Sequence, residues 1–357
     1  MHYINSITEA IGNTPLLKLN KIGAGIDANV FVKLEHLNPS GSYKDRMALS
    51  MIEAAERGET WNGRKLDADG IVVEASAGNT APALALVCAA RGYQSRFYLY
   101  RYMFESTTNS RMLITRAFGP EVEISHQATD YLSAEEIERF LKDEPDLLDV
   151  LAAKMDCQRA EDENPKVVWV DQIYNRSNFL GQKQMAKEIY EQLDGKIDAV
   201  GCSAAAGGTL YGLCAGLTEL GVKLETTFAV VPYGTECYLK LDKDEAKRGE
   251  FHVSQARSEI AKSMGLTKWY TEKSIIQEMV EAGYPDVAFR VTDEQARAMA
   301  NRLCQEEGIY CGMSSGANVL IALEIAKRLG KGKNVVTTIV DRRDRYMSEV
   351  PNEKYNI

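Results

Sequence analysis

Histidine is scarce in this chain, and closely paired cysteine is missing. The four histidines are widely separated and no two of the seven cysteines stand as CxxC, so no zinc signature can be assembled and no metal is expected; a site of oxygen ligands alone stays open. An odd number of cysteines at irregular spacing gives no disulfide framework and points to reduced thiols in a cytoplasmic protein. Long apolar runs are absent as well: stretches such as APALALVCAA fall well short of the ~20 residues that cross a bilayer. The opening MHYINSITEA has neither the basic start nor the apolar core of a signal peptide. Basic residues number 42 against 51 acidic ones, and the net charge of −9 argues against nucleic acid or an anionic membrane as a main partner. There is no GxxxxGK[ST] loop and no GxGxxG with its downstream acid. No histidine stands in a local relation to a serine that would support a hydrolase triad.

What is present is a regular alternation. At 357 residues the chain suffices for one large or two moderate domains. Short strands, several of them apolar on both faces, alternate with helical patterns of about ten to fifteen residues. That alternation predicts an α/β fold of mainly parallel sheet covered by helices. IVVEASAGNTAPALALVCAARG reads as buried strand, glycine turn and helix ending at Gly92, with Thr80 as its cap. IDAVGCSAAAGGTLYGLCAGLTEL repeats the design. From Glu135 to Glu163, eleven acidic residues stand against four basic ones, which predicts a solvated helical pair and then a surface loop, AEDENP, at a domain boundary. The polar stretch from Gly234 to about Thr271 is long enough for a flap or interface element. Near the end, CGMSSGAN predicts a turn ahead of a helix over 319–329.

Lys44 stands where the strand Val30 to Leu34 and the turn Asn38 to Gly41 give way to an amphipathic helix. A cation is mildly unfavourable beside the positive end of a helix dipole, so the placement calls for a reason. A lysine whose pKa is pushed down there forms an imine with a carbonyl; a solvated lysine in an ordinary connection is the alternative. AAAGGT, Ala204 to Thr209, suits a phosphate, because small residues let the backbone approach and Thr209 adds a hydroxyl at a helix start. Close packing of helix on sheet is the other reading. Ser76, Asn79 and Thr80 supply hydroxyls and an amide suited to a carboxylate or phenolate oxygen, unless they form an ordinary polar turn.

These pieces occur together and in order: IGNTP at Ile11, KLEHLNPSGSYKDR, EASAGNTAP, DQIYNRSN, AAAGGT, CGMSSGA and DRRDRY at Asp341. The set resembles the cysteine synthase and cystathionine β-synthase family of pyridoxal phosphate enzymes, the tryptophan-synthase-β-like fold (fold type II), over nearly the whole chain. That resemblance implies two three-layer αβα domains with largely parallel sheets: a larger cofactor domain from 1–45 and 158–357, and a smaller mobile substrate-side domain from 46–157. It makes Lys44 the catalytic lysine that holds pyridoxal 5'-phosphate covalently and moves protons at the substrate Cα. Asn79 would contact the ring's phenolic oxygen, while Gly207, Gly208 and Thr209, with the backbone of Ala205 and Ala206, would cradle the phosphate. Ser314, or less favourably Ser315, would face the pyridine nitrogen. Ser76, Thr80 and Gln172 would hold the substrate carboxylate.

The implied function is β-replacement on cysteine, serine or an O-activated serine through an aminoacrylate attacked by a small nucleophile, in a cytoplasmic homodimer. A β-eliminating or hydrolytic lyase, such as a cysteine desulfhydrase releasing hydrogen sulfide, shares every step up to the aminoacrylate. A non-catalytic binding protein on the same fold is the alternative of another class, against which the intact Lys44, Asn79 and Gly207 to Thr209 set weighs. Several departures bear on the choice. Ala77 replaces a family serine, AAAGGT lacks one threonine, and the glycine-rich loop usual near 234–266 is missing. Arg342 and Arg343 stand where a serine–glycine pair is usual. Either arginine suits an anionic substrate group, with solvated surface residues as the equal alternative.

Overall fold

The computed structural model describes residues 3–100, 109–141, 145–232, 239–240, 252–253, 261–266 and 272–349. Its contacts divide the chain into two compact units, Met1–Met47 with Asn178–Val253 and Ser274–Arg343, and Ala48–Ser177 with Ser254–Lys273 and Asp344–Ile357.

The first unit is built on a sheet of six strands in the order β1 (Leu16–Lys18), β2 (Asn29–Leu34), β12 (Asn334–Ile339), β7 (Ala199–Ser203), β8 (Thr226–Pro232), β11 (Val287–Val291). All neighbours run parallel except the edge strand β1. Period-2 alternation sends successive residues to opposite faces, and two separate cores result. Val30, Val32, Ala199, Phe228, Val230 and Val335 pack with α9 (Asp293–Glu307) and α10 (Met313–Leu329). Their neighbours Val200, Ala229, Val231 and Val336 pack with α6 (Ser177–Gln192), α7 (Gly208–Glu219) and α8 (Ile275–Glu281). Helices therefore cover both faces, the expected three layers.

The second unit carries a parallel sheet in the order β5 (Glu121–Ile124), β4 (Gln94–Leu99), β3 (Ile71–Ala75), β6 (Val167–Trp169). It also contains α2 (Thr80–Arg91), α3 (Asn109–Ala117), α4 (Ala134–Leu141) and α5 (Pro145–Glu163). α1 (Lys44–Glu56) begins in the first unit and continues in the second. A short antiparallel pair, β9 (Leu239–Lys240) with β10 (His252–Val253), forms a sheet of its own; the rest of the stretch expected to form a flap or interface lies largely outside the described residues.

Two expectations are corrected. The acidic stretch from Glu135 to Glu163 is not a solvated pair closing on a surface loop: α5 runs through AEDE to Glu163 and buries Leu148, Val150, Leu151, Ala152, Ala153 and Cys157. It packs on β3, β4 and β6, so the chain changes units at Ser177/Asn178 and not at 157/158. The helix expected over 319–329 starts at Met313, because Gly316 lets the first turn of α10 lie against α9. A Cβ there would sit 2.1 Å from the Ala296 carbonyl oxygen.

Candidate active site

In parallel sheets, ligands collect at the carboxyl ends of strands. In the first unit the neighbouring strands β2, β12 and β7 deliver Lys44, Asp341 and Arg342, and the Ala204 to Thr209 turn to that edge. The turn ahead of Lys44 is pinned from both sides. Asp45 accepts from the Ser40 N–H at 2.6 Å and from the Ser40 hydroxyl, Gly41 takes a left-handed φ of 89°, and the Tyr43 N–H donates to the Val340 carbonyl at 3.0 Å. Lys44 is half-buried, its Nζ 5.1 Å from the centre of the Tyr43 ring and 4.0 Å from Met47 Sδ. Burial pushes the Cys202 thiol up to about 12, and the Lys44 ammonium acts in the opposite sense.

The strand β7 ends in a turn whose Gly207 has φ 84° and caps α7 without a side chain. A Cβ on Gly208 would lie 2.2 Å from Asn178 Oδ1, so any larger residue there has to displace the Asn178 side chain. Gly207, Gly208, Thr209 and Ala206 are buried and Ala205 is exposed. Small residues, a left-handed turn and the N–H groups that the first turn of a helix leaves without intrahelical partners form a cradle matched to a phosphate. Burial raises the Tyr43 phenol above the usual tyrosine range, with Cys202 and Asp341 adding to the effect and a hydrogen bond with Thr209 opposing it. Tyr43 was not singled out by sequence, although an aromatic ring immediately before the lysine was there to be read.

The serine turn is tied to the same edge. Cys311 bridges to Arg342, and Ser315, fully buried, accepts from the Val340 N–H at 2.9 Å. Ser315 is thereby occupied by backbone, while Ser314 is half-buried. Asn318 locks α10 to two strands, accepting from the Ser203 N–H at 2.7 Å and donating to the Thr338 carbonyl at 3.1 Å. Arg342 is exposed with its charge near His36, and Arg343 donates to Asn301 Oδ1.

In the second unit β3 and β6 are neighbours, which brings Ser76 to Thr80 beside Gln172. Thr80 is buried and donates its hydroxyl to Gln172 Oε1 at 2.6 Å. It is the first residue of α2 and not its cap; Asn79 takes that place and makes no capping bond, so the amide is not spent on its own helix. Ser76 accepts from the Gly78 N–H at 3.2 Å. Ala77 is buried in a small apolar cluster with Leu99 and Met112. Sequence reasoning passed over Glu74 and Lys154, which form a buried ion pair beneath this turn. An acid in the otherwise apolar IVVEA, and a lysine within the apolar run of α5, were the available signals.

Comparisons with known proteins bear on the family and the fold. A family model described as pyridoxal-phosphate dependent enzyme matches residues 7–341. The chain is similar to cysteine synthase 1 of Emericella nidulans, 32% identical over 346 residues that cover 96% of this chain and 84% of the relative. It is likewise similar to the cysteine synthase of Staphylococcus aureus strain N315, 31% identical over 346 residues, covering 97% and 96%. Among solved structures, a hydrogen sulfide-producing enzyme from Fusobacterium nucleatum superposes with TM-score 0.73 at 26% identity, covering 97% of this chain and 99% of that one. An O-acetylserine dependent cystathionine β-synthase from Helicobacter pylori, 24% identical with TM-score 0.73 and 98% of both chains covered, shares the fold.

Proposed function

The chain belongs to the cysteine synthase and cystathionine β-synthase family of pyridoxal-phosphate dependent enzymes, and from that premise we propose that it catalyses β-replacement on cysteine, serine or an O-activated serine. The observation that carries the reading is the convergence of Lys44, the Gly207 to Thr209 cradle and the Ser314 turn on the ends of three adjoining strands. The residues fit the cofactor: the cradle turns through Gly207 at a left-handed φ of 84° and opens a helix of twelve residues, long enough for its N-terminus to favour an anion.

When bound, pyridoxal phosphate supplies an electron sink for the pair left at the substrate Cα. Lys44 Nζ would carry the cofactor's aldehyde and, as a neutral amine, move the proton at Cα. Ser314 Oγ would meet the ring nitrogen as a neutral hydroxyl, which holds a proton there less firmly than a carboxylate would; loss of a β-substituent is then favoured over transamination. Asn79 would meet the phenolic oxygen. Gln172 would donate to the substrate carboxylate through its NH2, since its amide oxygen accepts from Thr80. Ser76 would serve the same carboxylate. We take the protein to act as a cytoplasmic homodimer.

The likeness to a hydrogen sulfide-producing enzyme over nearly the full chain supports a second reading, β-elimination from cysteine. Purified protein given pyridoxal phosphate is expected to gain a visible absorbance band that Lys44→Ala lacks. Product analysis with cysteine alone, with cysteine and an added thiol, and with O-acetyl-L-serine and sulfide separates the two readings: pyruvate, ammonia and sulfide from cysteine alone indicate elimination, whereas a thioether formed with release of sulfide, or cysteine formed from O-acetyl-L-serine, indicates replacement. Absence of the band in the unaltered protein at saturating cofactor overturns both.

A further inference from the structure

Beneath the Ser76 to Thr80 turn three charged side chains are fully buried: Glu74, Lys154 and Asp171, all within the second unit. The Lys154 ammonium pairs with Glu74 and lies 3.6 Å from Asp171 Oδ1. Removing charges from water is costly even when they are paired, and an apolar cluster of equal volume would fill the same space. What the cluster holds is specific. Glu74 Oε1 accepts from the Ala75 N–H and Oε2 from the Gln172 N–H, both at 2.8 Å. One carboxylate thus clamps the last residue of β3 to the segment that follows β6.

Asp171 carries a left-handed φ of 38°, unusual for a residue that is not glycine. Its Oδ1 accepts from the Ile173 N–H at 3.0 Å. The turn it makes returns the Gln172 side chain to Thr80, 92 residues away in sequence. With the amide oxygen committed to Thr80, any contact of Gln172 with an anion runs through its NH2. The orientation of that donor follows from the buried charges below it.

We propose that Glu74 and Lys154 are positioning residues for the substrate: the buried Glu74–Lys154–Asp171 cluster sets the Gln172–Thr80 pair that receives the amino acid's carboxylate. This rests on the reading of Gln172 given above. A carboxylate contact made alike in the bound and reacting states raises KM and leaves kcat when it is weakened, whereas general damage lowers both.

The test uses the protein loaded with pyridoxal phosphate, titrated with L-cysteine, L-serine and O-acetyl-L-serine while its visible spectrum is followed. Glu74→Gln keeps the shape and removes the charge. The triple variant Glu74→Gln/Lys154→Met/Asp171→Asn removes all three charges, so that folding survives where one buried charge left alone would prevent it. In a variant that melts cooperatively, half-saturation is expected to need about tenfold more amino acid, with cofactor content as in the unaltered protein and kcat within about threefold. Unchanged half-saturation in a folded variant overturns the proposal. So does loss of cofactor in parallel with loss of amino-acid binding. If the unaltered, loaded protein responds spectrally to none of the three amino acids, the underlying reading fails and takes the proposal with it.

Discussion

His36 illustrates how a single side chain couples the fold to pH. Burial lowers its pKa to about 4, the Arg342 guanidinium acts in the same sense, and Glu35 opposes them. The imidazole is therefore neutral in the folded protein at pH 7, while the unfolded chain takes up a proton below about pH 6.5. A folded pKa below the unfolded one means that stability is full above pH 6.5 and declines as pH falls toward 4. Between pH 7 and pH 5 the unaltered protein is expected to lose on the order of 1 kcal/mol more than His36→Asn, a figure reduced for the group's partial exposure. Urea titrations at the two pH values check this. The same scale accounts for Thr80, whose hydroxyl serves Gln172 across two strands and not the first turn of its own helix.

Among the elements, α10 departs most from its local pattern. Its first turn, Met313 to Gly316, contains two serines and a glycine, residues that favour turns over helix, yet the helix forms because Gly316 lets α9 and α10 approach. A methyl group at 316 would meet backbone on two sides, the Ala296 oxygen at 2.1 Å and the Ala300 nitrogen at 2.6 Å. Backbone cannot rotate away as a side chain can. Gly316→Ala is expected to cost about 3 kcal/mol, read as a lower denaturation midpoint with an unchanged urea slope. α5 makes the complementary point: acidic composition suggested a solvated element, but its Leu148, Leu151 and Ala152 positions line one face that the sheet covers.

At the scale of the molecule, four distant segments of the first unit are joined by one buried network. Arg46 donates to Glu35 at 2.7 Å and to Glu188 at 2.7 Å, and Lys33 pairs with Glu188 at 2.7 Å and donates to the Thr14 carbonyl at 2.5 Å. Burial by itself would raise the Glu188 carboxyl; Arg46 and Lys33 outweigh it and hold the group at about 2. Since that pKa lies below the unfolded value, the contribution is present above about pH 4.5 and is lost as pH falls toward 2. Arg46→Leu leaves two carboxylates without their guanidinium and is expected to destabilise the protein by about 3–5 kcal/mol. Its stability should also change less than that of the unaltered protein between pH 4.5 and pH 2, as denaturation across that range would show.

The order of strands, turns and helices, the α/β class and the small-residue turns around Lys44, Asn79 and Gly207 were readable from the sequence, because each is a local pattern of periodicity and small residues. Nothing local announced that Thr80 would meet Gln172, that Ser315 would be taken by the Val340 N–H, or that Glu74 and Lys154 would share a core. Those partners lie 92, 25 and 80 residues apart. Periodicity tells which side chains turn inward; strand order and helix packing, settled only when the whole chain closes on itself, decide which polar group each of them finds there.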